Sequence, residues 1–203
     1  GFYDIGNPYT WHDHFVEEYS LKADYTNNFT TKSKFKAGIE ASFQEMQLVD
    51  IYQPWVKPYG LNNDVYKVYP AFGSAFAQHS IQFKGMILNY GLRLDYWMPG
   101  KYVDDAINNL SIETIPDEIR KKYLDETFNL FGNRFKARLS PRIGISHPIT
   151  DNQTLFFSYG HFSKRPKPQF LYAKLNPVSA QSSFQKFGNP ALNPETTVSY
   201  ELG

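Results

Sequence analysis

The chain has 203 residues, a formal net charge of +1 and no cysteine. A charge balance so near neutrality creates no global field to recruit nucleic acid or an anionic surface, and the missing thiols exclude a disulfide framework and thiolate metal sites. With 17 Phe, 15 Tyr and 3 Trp it is far more aromatic than an average globular domain.

The first strand is predicted within Phe15 to Tyr25, where Tyr19, Leu21, Ala23 and Tyr25 oppose Ser20, Lys22 and Asp24. Asn27-Asn28, residues tolerant of left-handed backbone, predict a tight turn. A second strand runs from Thr31 to about Ile51, with Phe35, Ala37, Ile39, Ala41 and Phe43 on one face and Lys34, Lys36, Gly38, Glu40, Ser42 and Gln44 on the other. Near Glu45 the apolar residues change phase to Met46 and Leu48, which reads as a bulge or as the strand leaving a membrane. Roughly 20 residues far exceed the 9 to 11 of a bilayer-spanning strand, so the excess is expected to project outside.

Tyr52 to Pro70 reads as a loop rich in aromatics, Pro, Gly and Asn. The third strand, from about Ala71 to Phe83, sets Ala75, Ala77, Ile81 and Phe83 against Gln78, Ser80 and Gln82, and a tight turn follows at Lys84-Gly85. The fourth, Ile87 to Trp97, opposes Leu88, Tyr90, Leu92, Leu94 and Tyr96 to Asn89, Gly91, Arg93 and Asp95. Met98 to Asn133 is the longest insertion, and within it Pro116-Asp117-Glu118-Ile119 opens a short helix with Ile119, Tyr123 and Thr127 along one side.

The cleanest hairpin spans Arg134 to Phe162. Phe135, Ala137, Leu139, Pro141, Ile143 and Ile145 share one face, while Arg134, Lys136, Arg138, Ser140, Arg142, Gly144 and Ser146 share the other. The turn falls at Thr150-Asp151-Asn152-Gln153, a third long loop covers Lys164 to Pro194, and a last strand starts near Thr196.

About seven strands result, joined alternately by three tight turns and three long loops. That sidedness, with no apolar run of about 18 residues to form a membrane helix, points to an antiparallel transmembrane β-barrel. Barrels of this kind have even strand numbers, so a fragment of a larger barrel is expected, with residues 1–203 all in one barrel domain. Gly1-Phe2-Tyr3-Asp4 lacks the basic and apolar regions of a signal peptide, which fits a mature chain or a fragment.

From Leu139 onward the chain resembles the barrel domain of TonB-dependent outer-membrane receptors. The resemblance is carried by Ser140-Pro141-Arg142-Ile143-Gly144-Ile145-Ser146, by Phe157-Ser158-Tyr159-Gly160-His161-Phe162, and by Gly188-Asn189-Pro190-Ala191-Leu192-Asn193-Pro194-Glu195 leading into Val198-Ser199-Tyr200-Glu201-Leu202-Gly203. Lys34-Phe35-Lys36-Ala37-Gly38-Ile39-Glu40 is similar to another strand of that family. The large outer loops resemble the subgroup that carries a carboxypeptidase-regulatory-like domain ahead of the plug. What the resemblance implies is a barrel of about 22 strands in the outer membrane of a Gram-negative cell, surrounding its own plug and drawing on the TonB complex through an N-terminal part. A bulky substrate would be imported. Neither a plug nor a TonB-contacting box is visible in these residues.

Several side chains invite a functional reading. Lys34, Glu40, Arg93, Asp95, Arg138 and Arg142 are expected to face the lumen, where the arginine stripe either guides an anion or pairs with the plug and with neighbours such as Glu40, Asp95 and Asp24. The pairing is favoured, because unpaired charges away from bulk water are costly. Trp55, Tyr59, Tyr66, Tyr102 and Tyr172 fall in the outer loops, placed to stack on sugars, grip a peptide, or pin the loops to one another. Tyr25, Tyr90, Tyr96, Trp97 and Tyr159 fit the aromatic girdles that meet lipid headgroups.

His12 and His14 stand at i and i+2, two imidazoles with no evident third ligand, so no metal site is assigned. No nucleophile elbow, phosphate-cradling glycine loop or zinc helix is present, and neither catalysis nor a cofactor is expected. The alternative is a soluble extracellular β-sandwich that binds carbohydrate through its loop aromatics, which leaves the sidedness of the turns unexplained.

Overall fold

The structure is a computed structural model that describes residues 9–55, 62–150, 152–175 and 187–203. In chain order its elements are β1 (Thr10–Thr30), β2 (Ser33–Tyr52), β3 (Asn62–Val68), β4 (Ala71–Phe83), β5 (Met86–Met98), α1 (Lys101–Asn108), α2 (Asp117–Glu126), β6 (Phe128–Leu130), β7 (Asn133–Thr150), β8 (Gln153–Lys164), α3 (Pro168–Tyr172) and β9 (Glu195–Leu202). Every pairing is antiparallel, and the sheet runs β1-β2-β4-β5-β7-β8-β9, with β3 added beside β2 and β6 beside β7. Among the described residues β1 pairs only with β2 and β9 only with β8, so the sheet is open. No helix is long and apolar enough to cross a membrane, which leaves crossing by strands untouched.

The alternating pattern fixes the two faces. Cross-strand partners share a face, so Leu21, Ala41, Gly73, Tyr96 and Ala137 line up on one side, as do Ala23, Ile39, Ala75, Leu94 and Leu139. This apolar face is bare: Leu21 is 69% exposed, Ile39 58% and Leu92 51%. A sandwich would cover it with a second sheet, and the described residues form one sheet only.

The tight turns lie at the end opposite the long loops. Lys84 and Gly85 both adopt positive φ between Phe83 and Met86, the conformation a two-residue hairpin turn demands. Asn27 and Asn28 do not make the first turn. They stay in the ladder opposite Phe35 and Lys34, and the chain reverses at Thr31-Lys32, where the Lys32 amide donates to Thr30 Oγ1 at 3.1 Å. A threonine hydroxyl thus supplies a local acceptor for the turn, and no asparagine is needed there. Consequently β1 is longer than the predicted span at both ends, and His12 and Asp13 are strand residues.

The phase change near Glu45 is not a bulge. β1 stays in register through Glu17 and Glu45, and on the other edge of β2 the pair Phe43 with Ala71 and the pair Met46 with Val68 belong to one continuous register. β3, which the sequence reading placed inside a loop, is therefore an upward continuation of β4, interrupted at Tyr69-Pro70; the Gln44 amide donates to the Pro70 carbonyl at 2.9 Å across the break. Proline has no amide to give in return. What changes at Met46 is the covering of the face. Above that level the polar side of the sheet acquires a roof.

That roof holds the only large buried apolar cluster among the described residues. Met46, Tyr66, Val68 and Trp97 on the strand extensions pack against Val103, Ala106 and Ile107 of α1, Tyr123 of α2, and Leu171 and Tyr172 of α3. Helix α1 was not predicted, although Val103, Ala106 and Ile107 carry helical spacing; α2 begins after Pro116 and turns Tyr123 and Thr127 inward as expected.

Candidate functional site

Beneath the roof, the polar face of the sheet carries two adjoining hollows. The upper, of about 470 Å³, is lined by Glu40, Phe72, Asp95, Lys136, Arg138 and Arg165 among others, and the lower, of about 620 Å³, by Gln78, Asn89, Arg142, Ser158, Phe162 and Glu201. Arg93 borders both. The sheet register builds the lining: Glu40, Ser74, Asp95 and Arg138 lie side by side across four strands, and Lys22 of β1 continues the row beyond the hollow.

The charges in the hollows are only partly matched. Arg93 Nε donates to Asp95 Oδ1 at 2.8 Å, Ser163 Oγ donates to Asp95 Oδ2 at 3.3 Å, and Lys22 pairs with Asp24 at 3.3 Å. Arg165 lays its guanidinium over the Phe72 ring at 3.2 Å, and Arg142 covers Phe162 at 4.7 Å. Arg138 makes no ion pair among the described residues, and its Nε is buried without a hydrogen-bond partner there, as are the hydroxyls of Ser42 and Ser140. The unmet N–H of Arg138 favours an occupant that brings an acceptor.

Three contacts lock the roof. Tyr66, Tyr102 and Tyr172, from three different loops, meet with ring centroids 5.8 to 6.5 Å apart, and the Tyr172 hydroxyl donates to the Pro99 carbonyl at 2.9 Å. Burial pushes the Tyr66 hydroxyl up to about 12. The second contact is Arg120, whose guanidinium is sunk among the carbonyls of Ala106, Ile107, Asn109, Ile112 and Ile115, so that a buried cation closes the C-terminal end of α1.

The third is the Gly188–Glu195 stretch. Ala191 and Asn193 accept from Lys136 Nζ, which also reaches Glu126 Oε2 at 3.3 Å, while Asn193 Nδ2 donates to Glu126 at 2.9 Å. A Cβ on Gly188 would lie 2.5 Å from the Leu171 carbonyl oxygen, so the position requires glycine.

The residues singled out from sequence separate into groups. Lys34, Glu40, Arg93, Asp95, Arg138 and Arg142 all fall on the polar face. Tyr66 and Tyr172 are buried in the brace, Trp55 is 61% exposed beside Tyr9, and Tyr59 lies outside the described residues. Trp97 leaves the girdle group, because it points to the polar face and is buried under the roof. Arg134 turns upward to the Leu124 carbonyl and the Thr127 hydroxyl. His12 sits 4.0 Å from Asp50, and no group of three metal-ligating side chains forms among the described residues. Phe72, Phe162 and Arg165 were missed; the first two carried a signal, being aromatics on the polar parity of their strands.

No curated protein and no solved structure matches the chain. The family model described as TonB dependent receptor-like, beta-barrel matches residues 1–203. A bare apolar face, a polar face with hollows and long loops confined to one end are the features such a wall requires, and the chain belongs to the TonB-dependent receptor β-barrel family.

Proposed function

We propose that this chain supplies wall and outer loops to a TonB-dependent uptake receptor in the outer membrane of a Gram-negative cell, a transporter rather than a catalyst. The observation that carries the reading is the division of the sheet: exposed Leu, Ile and Tyr on one face, and on the other a run of charged hollows roofed by every long loop. The apolar face meets lipid. The polar face is the lumen wall, with Lys34, Glu40, Arg93, Asp95, Arg138 and Arg142 turned to the receptor's own plug, whose carboxylates and carbonyls are the acceptors that Arg138 and Ser140 lack among the described residues.

A bulky substrate is captured at the outer loops, first at exposed Trp55 and in the neighbourhood of Tyr59. Tyr66, Tyr102 and Tyr172 reach it only when their brace opens. The TonB complex acts through an N-terminal part, and the size of the loops supports the subgroup with a carboxypeptidase-regulatory-like domain. The test is fractionation of the full-length protein in a Gram-negative host, with a protease-cleavable tag placed between Met98 and Asn133. Outer-membrane recovery with tag cleavage on intact cells supports the reading; a product soluble without detergent returns the carbohydrate-binding sandwich.

A further inference from the structure

The β6–β7 hairpin carries a feature that the roof and the hollows do not use. Its turn is Phe131-Gly132, with φ of 52° and 82°, closed by the Gly132 amide donating to Asn129 Oδ1 at 3.1 Å. Left-handed backbone suits Asn, Asp or Gly and disfavours a bulky side chain. Yet Phe131 occupies it, 95% exposed, and nothing among the described residues covers its ring.

Register tells which way the hairpin faces. Phe128 pairs with Phe135 and Leu130 with Asn133, so both stand on the face that continues through Ala137 and Leu139, the apolar face of the sheet. The Phe128 and Phe135 rings lie 5.5 Å apart, and Phe128 and Leu130 are themselves largely exposed. From Thr127 to Asn133 there is no charged residue. Four residues beyond Phe135, at about 3.3 Å each and a tilt of about 45°, the tip stands roughly 9 Å further out, the depth of the headgroup layer.

We propose that this tip is a lipid anchor: Phe131, flanked by Phe128 and Leu130, inserts into the outer surface of the membrane beside the barrel wall. Lipid is favoured over a protein partner by continuity with the bare apolar face and by the absence of charge from Thr127 to Asn133. The inference rests on the outer-membrane reading.

The chain has no cysteine, so single nitroxide labels test it directly. The full-length protein is labelled in turn at Phe131→Cys, at Leu92→Cys on the apolar face and at Leu110→Cys, an exposed loop residue between Asn109 and Ser111, then reconstituted in phospholipid vesicles. The expected result is an oxygen-over-nickel-chelate accessibility at position 131 below that at 92, as a headgroup depth requires, and several-fold above that at 110. A value at 131 equal to that at 110, with 92 in lipid, overturns the anchor and leaves the receptor reading standing. A water-accessible label at 92 overturns both.

A label at 131 shielded from both reagents in native outer membranes and water-accessible in vesicles reveals a protein cover, which also overturns the lipid assignment. Phe131→Asn, suited to the turn, keeps protease resistance of the roof unchanged; if it unravels the roof, Phe131 is a packing residue and the anchor is wrong.

Discussion

The lower and upper halves of β2 share one unbroken alternation but invert its meaning. In the lower half the apolar residues Ala37, Ile39 and Ala41 stand on the bare face and Lys36, Glu40 and Ser42 on the opposite, polar one; in the upper half Met46 and Leu48 take that opposite face, where α1, α2 and α3 cover it. The hydrophobic pattern of a strand thus reports what lies against each face, and where that environment switches the pattern switches with it. A bulge is unnecessary.

The sharpest way to break this comparison is to exchange charges between the faces. Leu92→Lys should cost about 2–4 kcal/mol of stability in lipid if it lies near the midplane, whereas Gln78→Lys, on the polar face, should cost nothing measurable; urea unfolding in vesicles reads both, and equal losses would erase the distinction. Ser140, although it shares the polar face, is 1% exposed and would confuse packing with charge.

The upper half is addressed through Arg120. Arg120→Met leaves five carbonyls without their shared donor and should weaken the roof by about 3 kcal/mol, seen as hydrogen exchange in α1 and α2 about a hundredfold faster with β4 and β5 unchanged. Coupled loss in the strands would make roof and wall one unit. A smaller effect, about 1–2 kcal/mol, is expected for Tyr172→Phe, which strips the Pro99 carbonyl of its donor, read by the same exchange experiment.

The smallest expected effect is a pH slope. Asp104 is pushed up by burial, against the opposing hydrogen bond from the Tyr123 hydroxyl at 2.7 Å. The folded roof therefore holds this proton more readily than the unfolded chain does, and its stability should decline as pH rises through the window just above the ordinary carboxylate range. Asp104→Asn should flatten that slope; an unaltered slope would assign it to another group.

Alternation, the Lys84-Gly85 turn and the sidedness of the loops were legible in sequence because they are local and periodic, whereas the first turn was displaced from Asn27-Asn28 to Thr31-Lys32. β3 was not legible, since Tyr69-Pro70 punctuates what is spatially one strand and the flanking stretch has loop composition. The roof was legible only in fragments. Tyr123 announced a helix face, but that Tyr66, Tyr102 and Tyr172 would meet, or that Arg120 would gather carbonyls from a different helix, depends on loop closure across up to 106 positions of chain, which no window of sequence contains. The lone positive charges misled in the same way: Arg134 and Arg138 occupy one stripe, and only the roof's position decides that the first is spent on the Leu124 carbonyl and the Thr127 hydroxyl.

The interruption at Tyr69-Pro70 also has a mechanical side. Seven residue pairs join β2 to β3 above it and eleven join β2 to β4 below it, with the Gln44 to Pro70 hydrogen bond as the stitch between them. A force that peels the outer hairpin sideways unzips the upper pairs one at a time and then meets a perforation, so the tear ends at that break. The wall below keeps its full ladder, much as a stamp leaves its sheet without ripping the next one.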